Sequence, residues 1–225
     1  MSIILNIDTS TNSPSVSISK HSNLLSVDEL GPEHNISGNI TRMIERAVAN
    51  AKIKISDVDA ISINLGPGSY TSLRVGLSTS KGLCYALNKP LIGLNSFEML
   101  ASSVTNRTDY DLLICMVDAR RMDVYAGIYD LQNDHAIDPE FATIDKSFFE
   151  KFTSKKVLCL GDGAQKFKSS EFLPEFCTIS DIIQHSSHMI SIAEAKFSSK
   201  TFLDIAYCVP YYFKPPNITT PKNTF

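Results

Sequence analysis

"IILNIDTSTNSPSVSISKHSNLLSVDE", residues 3–29, sets the fold. Three short apolar runs, IILNID (3–8), PSVSIS (14–19) and NLLSVDE (23–29), are separated by the turn-forming pieces TSTN and KHS. That pattern predicts an antiparallel meander of three strands. The meander does not continue. Over 34–51, Ile36, Ile40, Met43, Ile44, Ala47, Val48 and Ala51 recur at helical spacing. DAISINL (59–65) then reads as a strand, 69–87 as a helix and NKPLIGL as another strand. Ser96 is expected to cap a short helix over FEMLASSV.

The order is therefore βββαβαβα. Three antiparallel strands feeding parallel βα units are the layout of the actin-like ATPase (ASKHA) fold, shared by sugar kinases and heat-shock ATPases. A second set of strands follows at 111–118, 122–130, 136–144 and 156–160, with helices over 147–153 and 188–199. This half reads as a reduced copy of the first. The expected division is an N-terminal lobe at 1–103 and a smaller C-terminal lobe at 104–225, with the tail VPYYFKPPNITTPKNTF as an irregular strap.

Composition narrows the function. The chain has 225 residues, 43% apolar and 20% charged, with net charge −3. No broad basic field is available to hold nucleic acid, and Lys151, Lys155, Lys156, Lys166 and Lys168 form the one basic cluster, read as a solvated face. Five scattered cysteines without a CxxC spacing read as reduced core residues. The N-terminal run is too short and lacks the charge of a leader. A cytoplasmic protein with no membrane contact is expected.

Two motifs carry chemistry. In DTSTN, a strand-end Asp8 with Thr9, Ser10 and Thr11 has the groups that hold phosphate oxygens or a metal-bound water in actin-like ATPases. The same residues make an Asx turn in a hairpin, the preferred reading. The second motif is NLGPGSYTSLRVG (64–76). A phosphate-binding P-loop needs Lys and Ser or Thr after its last glycine, and here Gly68 is followed by Ser69 and Tyr70. What remains is a strand-to-helix turn, with Gly66 and Gly68 permissive, Pro67 stiffening it and Ser69 capping the helix. Along that helix Ser72, Gly76, Ser80 and Cys84 form a ridge of small side chains. Such a ridge admits another helix closely.

LNIDTSTNSPSVSI, HNISGNI, GPGSYTSLRVGLSTSKGL, PLIGLNSFEML, VDARRMDVYAGIY and VPYYFK, in this order, resemble the bacterial TsaB (YeaZ) family over essentially the whole chain. GPGS-aromatic-T-x-x-R, which includes Arg74, and DAR-x-x-x-V-Y, which includes Asp118 and Arg120, are the specific parts. Ser72 departs from the family's usual glycine. The resemblance implies a non-catalytic partner of TsaD, the subunit that attaches threonylcarbamoyl to N6 of adenosine 37 in tRNAs reading codons that begin with A. It implies a TsaE-like ATPase in a larger complex and only indirect contact with tRNA. The older name glycoprotease keeps an ATP-dependent enzyme or metallopeptidase as the alternative. Where TsaD has its HxxxH metal motif, this chain has Ser96 and Leu100, neither able to replace imidazole. His185 and His188 are read as a solvated helix start, and Asp118, Arg120, Arg121 and Asp123 as a salt-bridged turn. No metal and no cofactor is expected, with ATP or ADP the exception that the fold leaves open. The docking surface is expected on Ile36, Ile40, Met43 and Ala47 of the first helix, outside its own core of Ile44, Val48 and Ala51, together with Ser72, Gly76 and Ser80. The same surface would serve a homodimer.

Overall fold

The structure, a computed structural model, describes residues 2–33, 35–133 and 135–213. His34, quoted in the HNISGNI motif, and the strap beyond Phe213 lie outside the described residues.

Strands β1 (Ile3–Asp8), β2 (Ser15–Lys20), β3 (Asn23–Glu29), β4 (Ala60–Asn64) and β5 (Leu91–Leu94) form one sheet in the order β3-β2-β1-β4-β5. The first three pair antiparallel, and β4 and β5 join in parallel. Strands β6 (Leu112–Asp118), β7 (Asp123–Asp130), β8 (His135–Thr143), β9 (Val157–Leu160) and β10 (Cys177–Ile179) form the other, in the order β10-β9-β6-β7-β8. Read from its far edge, the second sheet repeats the first strand for strand and direction for direction. This duplication is the actin-like ATPase fold.

Helices α1 (Ile36–Asn50) and α2 (Tyr70–Leu87) cover one face of the first sheet and touch each other. Asn35 starts α1 by accepting from the Ser37 N–H. Ser69 stands at the N-cap of α2 but makes no capping bond; its Oγ pairs with Ser72 Oγ at 3.0 Å instead. Helix α3 (Ser96–Ser102) corrects the sequence reading: Asn95 is its cap, in a reciprocal box with Glu98. Its Phe97 and Leu100 enter the core of the second sheet, whereas Met99 packs against the first.

The second lobe is reduced in its helices, not in its strands. Where the first lobe has helices of 15 and 18 residues, the second has α4 (Lys146–Glu150) and α5 (Asp162–Gln165), of 5 and 4. The chain then returns. After a 3-10 turn at Ser186–Met189, helix α6 (Ile190–Ser198) lies on the other face of the first sheet, with Met189 and Ala193 among Ile4, Ala60, Ile92 and Leu94. The chain continues there, and Leu203 pairs with Leu91. Assigning all of 104–225 to the second lobe therefore fails at its C-terminal end, because the apolar face of the first sheet opposite α1 and α2 needs α6 as its cover.

Candidate functional site

The carboxyl ends of β1 and β4 meet at a buried polar hub. Asp8 Oδ1 accepts from the Ser10 N–H (3.0 Å) and from Asn64 Nδ2 (2.9 Å). Asn64 also reaches Ser96 Oγ (3.0 Å), and its Oδ1 accepts from the Gly66 N–H (2.9 Å). Ser96 Oγ donates to the Pro67 carbonyl (2.6 Å), and the Ser69 N–H donates to the Ser10 carbonyl (2.7 Å). The GPGS loop is thus stitched onto the DTST turn. Gly66 takes φ 102°, and a Cβ on Gly68 would overlap the Ser10 carbonyl, so only glycine lets the loops approach this closely.

The four phosphate-contact candidates are covered by this arrangement. Asp8 and Thr9 are fully buried, Ser10 and Thr11 almost so. Asp8 Oδ2, Thr9 Oγ1 and Ser10 Oγ find no partner among the described residues. Burial pushes the Asp8 carboxyl above its ordinary range, against the lowering effect of its bonds to Ser10 and Asn64. The Ser186 N–H donates to Ser15 Oγ beside the hub, so the 3-10 turn closes over the adjoining strand ends. The open cleft of about 530 Å³, lined by Ser2, His21, Asp59, Glu194 and Lys200, lies at the opposite end of β1. Ser96 and Leu100 are both buried, the first spent on the hub and the second in the core between the lobes.

The DAR motif forms the β6–β7 turn. Asp118 Oδ1 accepts from the Arg120 N–H (2.7 Å) and pairs with Lys166 Nζ (2.7 Å). Lys166 also donates to the carbonyls of Arg121 and Asp123. A salt-bridged turn is what the sequence suggested, but the cation is Lys166 and not Arg120. Of the other expected basic residues, Lys151 pairs with Glu140 and Lys168 with Asp181. His185 is half-buried, capping the 3-10 turn through Nδ1 and facing Glu29 through Nε2 (2.9 Å), and burial pushes His188 down. Neither is a solvated helix start.

The expected docking residues face inward. Ile36, Ile40, Met43 and Ala47 are buried in the core with Ile44 and do not extend an apolar surface around the side. A Cβ on Gly76 would overlap Thr9 Oγ1, and Ser80 is fully buried, its Oγ bonded to the Gly76 carbonyl. Ser72 is half-buried against Ser69. The ridge packs on the protein's own sheet. The outward side of the two helices carries Gly38, Thr41, Arg42, Glu45 and Ala49 on α1, and Arg74, Ser78, Gly82, Tyr85 and Ala86 on α2. The hub role of Asn64 was missed; its signal is an amide ending an apolar strand two residues before Gly66.

The family described as "TsaD: tRNA N6-adenosine threonylcarbamoyltransferase" matches residues 32–208. A TsaB protein from Buchnera aphidicola, "tRNA threonylcarbamoyladenosine biosynthesis protein TsaB", is 30% identical over 178 residues, 76% of this chain and 83% of that one. The chain belongs to the TsaB (YeaZ) family. A tRNA N6-adenosine threonylcarbamoyltransferase of Thermosipho melanesiensis is 36% identical over 109 residues, covering 41% of this chain and 33% of its own. Among solved structures, YeaZ from Pseudomonas aeruginosa superposes with a TM-score of 0.75 at 21% identity, covering 95% of this chain and all of that one. This TsaB-family chain has, among its described residues, no helix long and apolar enough to cross a membrane.

Proposed function

We propose that this chain serves tRNA threonylcarbamoyladenosine biosynthesis as a non-catalytic subunit that docks onto, scaffolds and activates a TsaD-like transferase. A TsaE-like ATPase joins the larger complex, and the chain pairs with itself when its partner is absent. That role carries a cytoplasmic location with it.

The observation that carries the reading is the outward side of α1 and α2. Gly82 stands in the interior of α2 and Gly38 in the first turn of α1, neither with an atom beyond its own helix backbone within 4 Å of where a Cβ would lie. Glycine inside a helix costs roughly 1 kcal/mol against alanine, and nothing among the described residues requires it at Gly82. A facing helix at close approach would require it. The Asp8 hub supports this reading in that Asp8, Thr9 and Ser10 are buried where the two loops meet.

The test is capture of the TsaD-like paralogue from the same organism by the full chain, measured by titration and size-exclusion chromatography. Gly82→Arg should lower partner affinity at least about tenfold, because one blocked helix contact removes more than 1.4 kcal/mol. The variant monomer should gain roughly 0.5–1 kcal/mol from helix propensity. Undiminished affinity in a folded Gly82→Arg protein removes this docking face.

A further inference from the structure

The described part of the strap lays aromatic rings across both lobes. Starting in the second lobe, Phe141 meets Tyr125 with ring centroids 5.7 Å apart, and Tyr125 meets Phe213 at 5.4 Å. Phe213 meets Tyr211 at 5.0 Å. The next residue, Tyr212, meets Tyr70 at the start of α2 at 5.2 Å. The Arg74 guanidinium lies 4.0 Å above the Tyr70 ring, and its Nε donates to Tyr212 Oη at 2.9 Å. Four of these six rings are 40–48% exposed: Tyr70, Phe141, Tyr211 and Tyr212. So much half-open aromatic surface in one row is costly to leave in water.

Both ends of the row carry arginines without an acidic partner among the described residues. Arg74 stands at one end. At the other, Arg120 and Arg121 are exposed at the β6–β7 turn that leads into β7, where Tyr125 is the third residue. The nearby acids are already engaged, Asp118 by Lys166 and Asp123 by Thr143. Arg120 and Arg121 also both take positive φ, 74° and 51°, where glycine or asparagine is at home.

We propose that this row is a stacking platform for single-stranded RNA, with Arg74, Arg120 and Arg121 taking its phosphates. Rings accept bases face to face without regard to sequence, and arginine both stacks and pairs with phosphate. Tyrosine and arginine anchor protein interfaces as well; the arginines left without an acid among the described residues at both ends favour a phosphate-bearing partner. The inference deepens the proposed function and rests on it for the choice of RNA as occupant. It replaces the expectation of indirect contact with tRNA by a direct one.

The test is fluorescence anisotropy of the full chain, alone and with its TsaD-like partner. The probe is a labelled anticodon stem–loop with an adenosine 3′ to the anticodon, and the control is a blunt duplex of equal length. The stem–loop should bind in preference to the duplex. Tyr211→Ala and Tyr212→Ala should each weaken it about thirtyfold, the middle of the range for one lost stack. A second variant guards against misfolding. Arg120→Asn with Arg121→Gly suits the positive φ values, so its melting temperature should hold or rise. It should nonetheless bind the stem–loop more weakly, with a salt slope lower by between about 1 and 2. Equal binding of duplex and stem–loop overturns the proposal, as does stem–loop binding that none of these variants weakens. Loss of the TsaD-like partner with RNA binding intact overturns it too, making the row a protein interface. RNA binding that follows this pattern, without capture of the TsaD-like partner, supports the platform and counts against the docking role alone.

Discussion

Asp8 ends β1 with one carboxylate oxygen bonded twice and the other without a hydrogen-bond partner among the described residues. Because burial raises its pKa, the folded protein holds that proton more tightly than the unfolded chain does. The resulting stabilisation is fully present below the ordinary aspartate value of about 3.9 and is lost as pH rises through the higher folded value. Asp8→Asn keeps Oδ1 as an acceptor and carries no charge. Its stability advantage over the parent should therefore grow from about pH 4 towards pH 7, read from urea unfolding midpoints at each pH. A shrinking advantage would mean that the hub stabilises the ionised form. The polar character of DTST was legible in the sequence. Its covering was not, because Asn64 with Gly68, Ser96 and Ser186 arrive from three distant stretches and no pattern around DTST announces them.

Helix direction shows where periodicity reads well and where it is ambiguous. At 100° per residue, Ile36, Ile40, Met43, Ile44 and Ala47 fall within an arc of about 100°, the width of one ordinary core stripe. All five are buried together, so the helix was legible and the supposed second apolar surface was a misreading of that width. On α2 the small residues divide between two sides. Gly76 lies against Thr9 and Ile63, and Gly82 has open space. Spacing alone marks both as helix glycines, and only the position of the sheet tells them apart. Gly76→Ala should then cost roughly 1–3 kcal/mol through overpacking, measured by chemical denaturation. Together with a stabilised Gly82→Arg, the opposite signs at two glycines of one helix would fix its orientation. A neutral Gly76→Ala would contradict the close contact with Thr9.

At the scale of the molecule, the two lobes share their supports. Helix α3 sends Phe97 and Leu100 into one core and Met99 into the other, and α6 returns from the second lobe to cover the first sheet. The C-terminal stretch then holds to the first lobe: Leu203 N–H donates to the Leu91 carbonyl (2.8 Å) and Tyr211 N–H to the Leu65 carbonyl (2.7 Å). Beyond them, the Phe213 ring rests on Phe97 at 5.9 Å and on Tyr125 at 5.4 Å. The duplication was legible from strand order. The return was not, since the sequence VPYYFK has neither helical nor alternating period, and β10 has only three residues. These shared elements argue against independent lobes. Far-UV dichroism and tyrosine fluorescence should report one coincident unfolding transition, the chain having no tryptophan. Phe213→Ala should shift that transition by roughly 1.5–3 kcal/mol through lost ring burial, without splitting it. Its ring is one of several ties, so α3 and α6 still couple the lobes after it is removed. Two separated transitions in the parent protein would show that the lobes fold alone. A split seen in Phe213→Ala but not in the parent would make the strap the sole clasp between them.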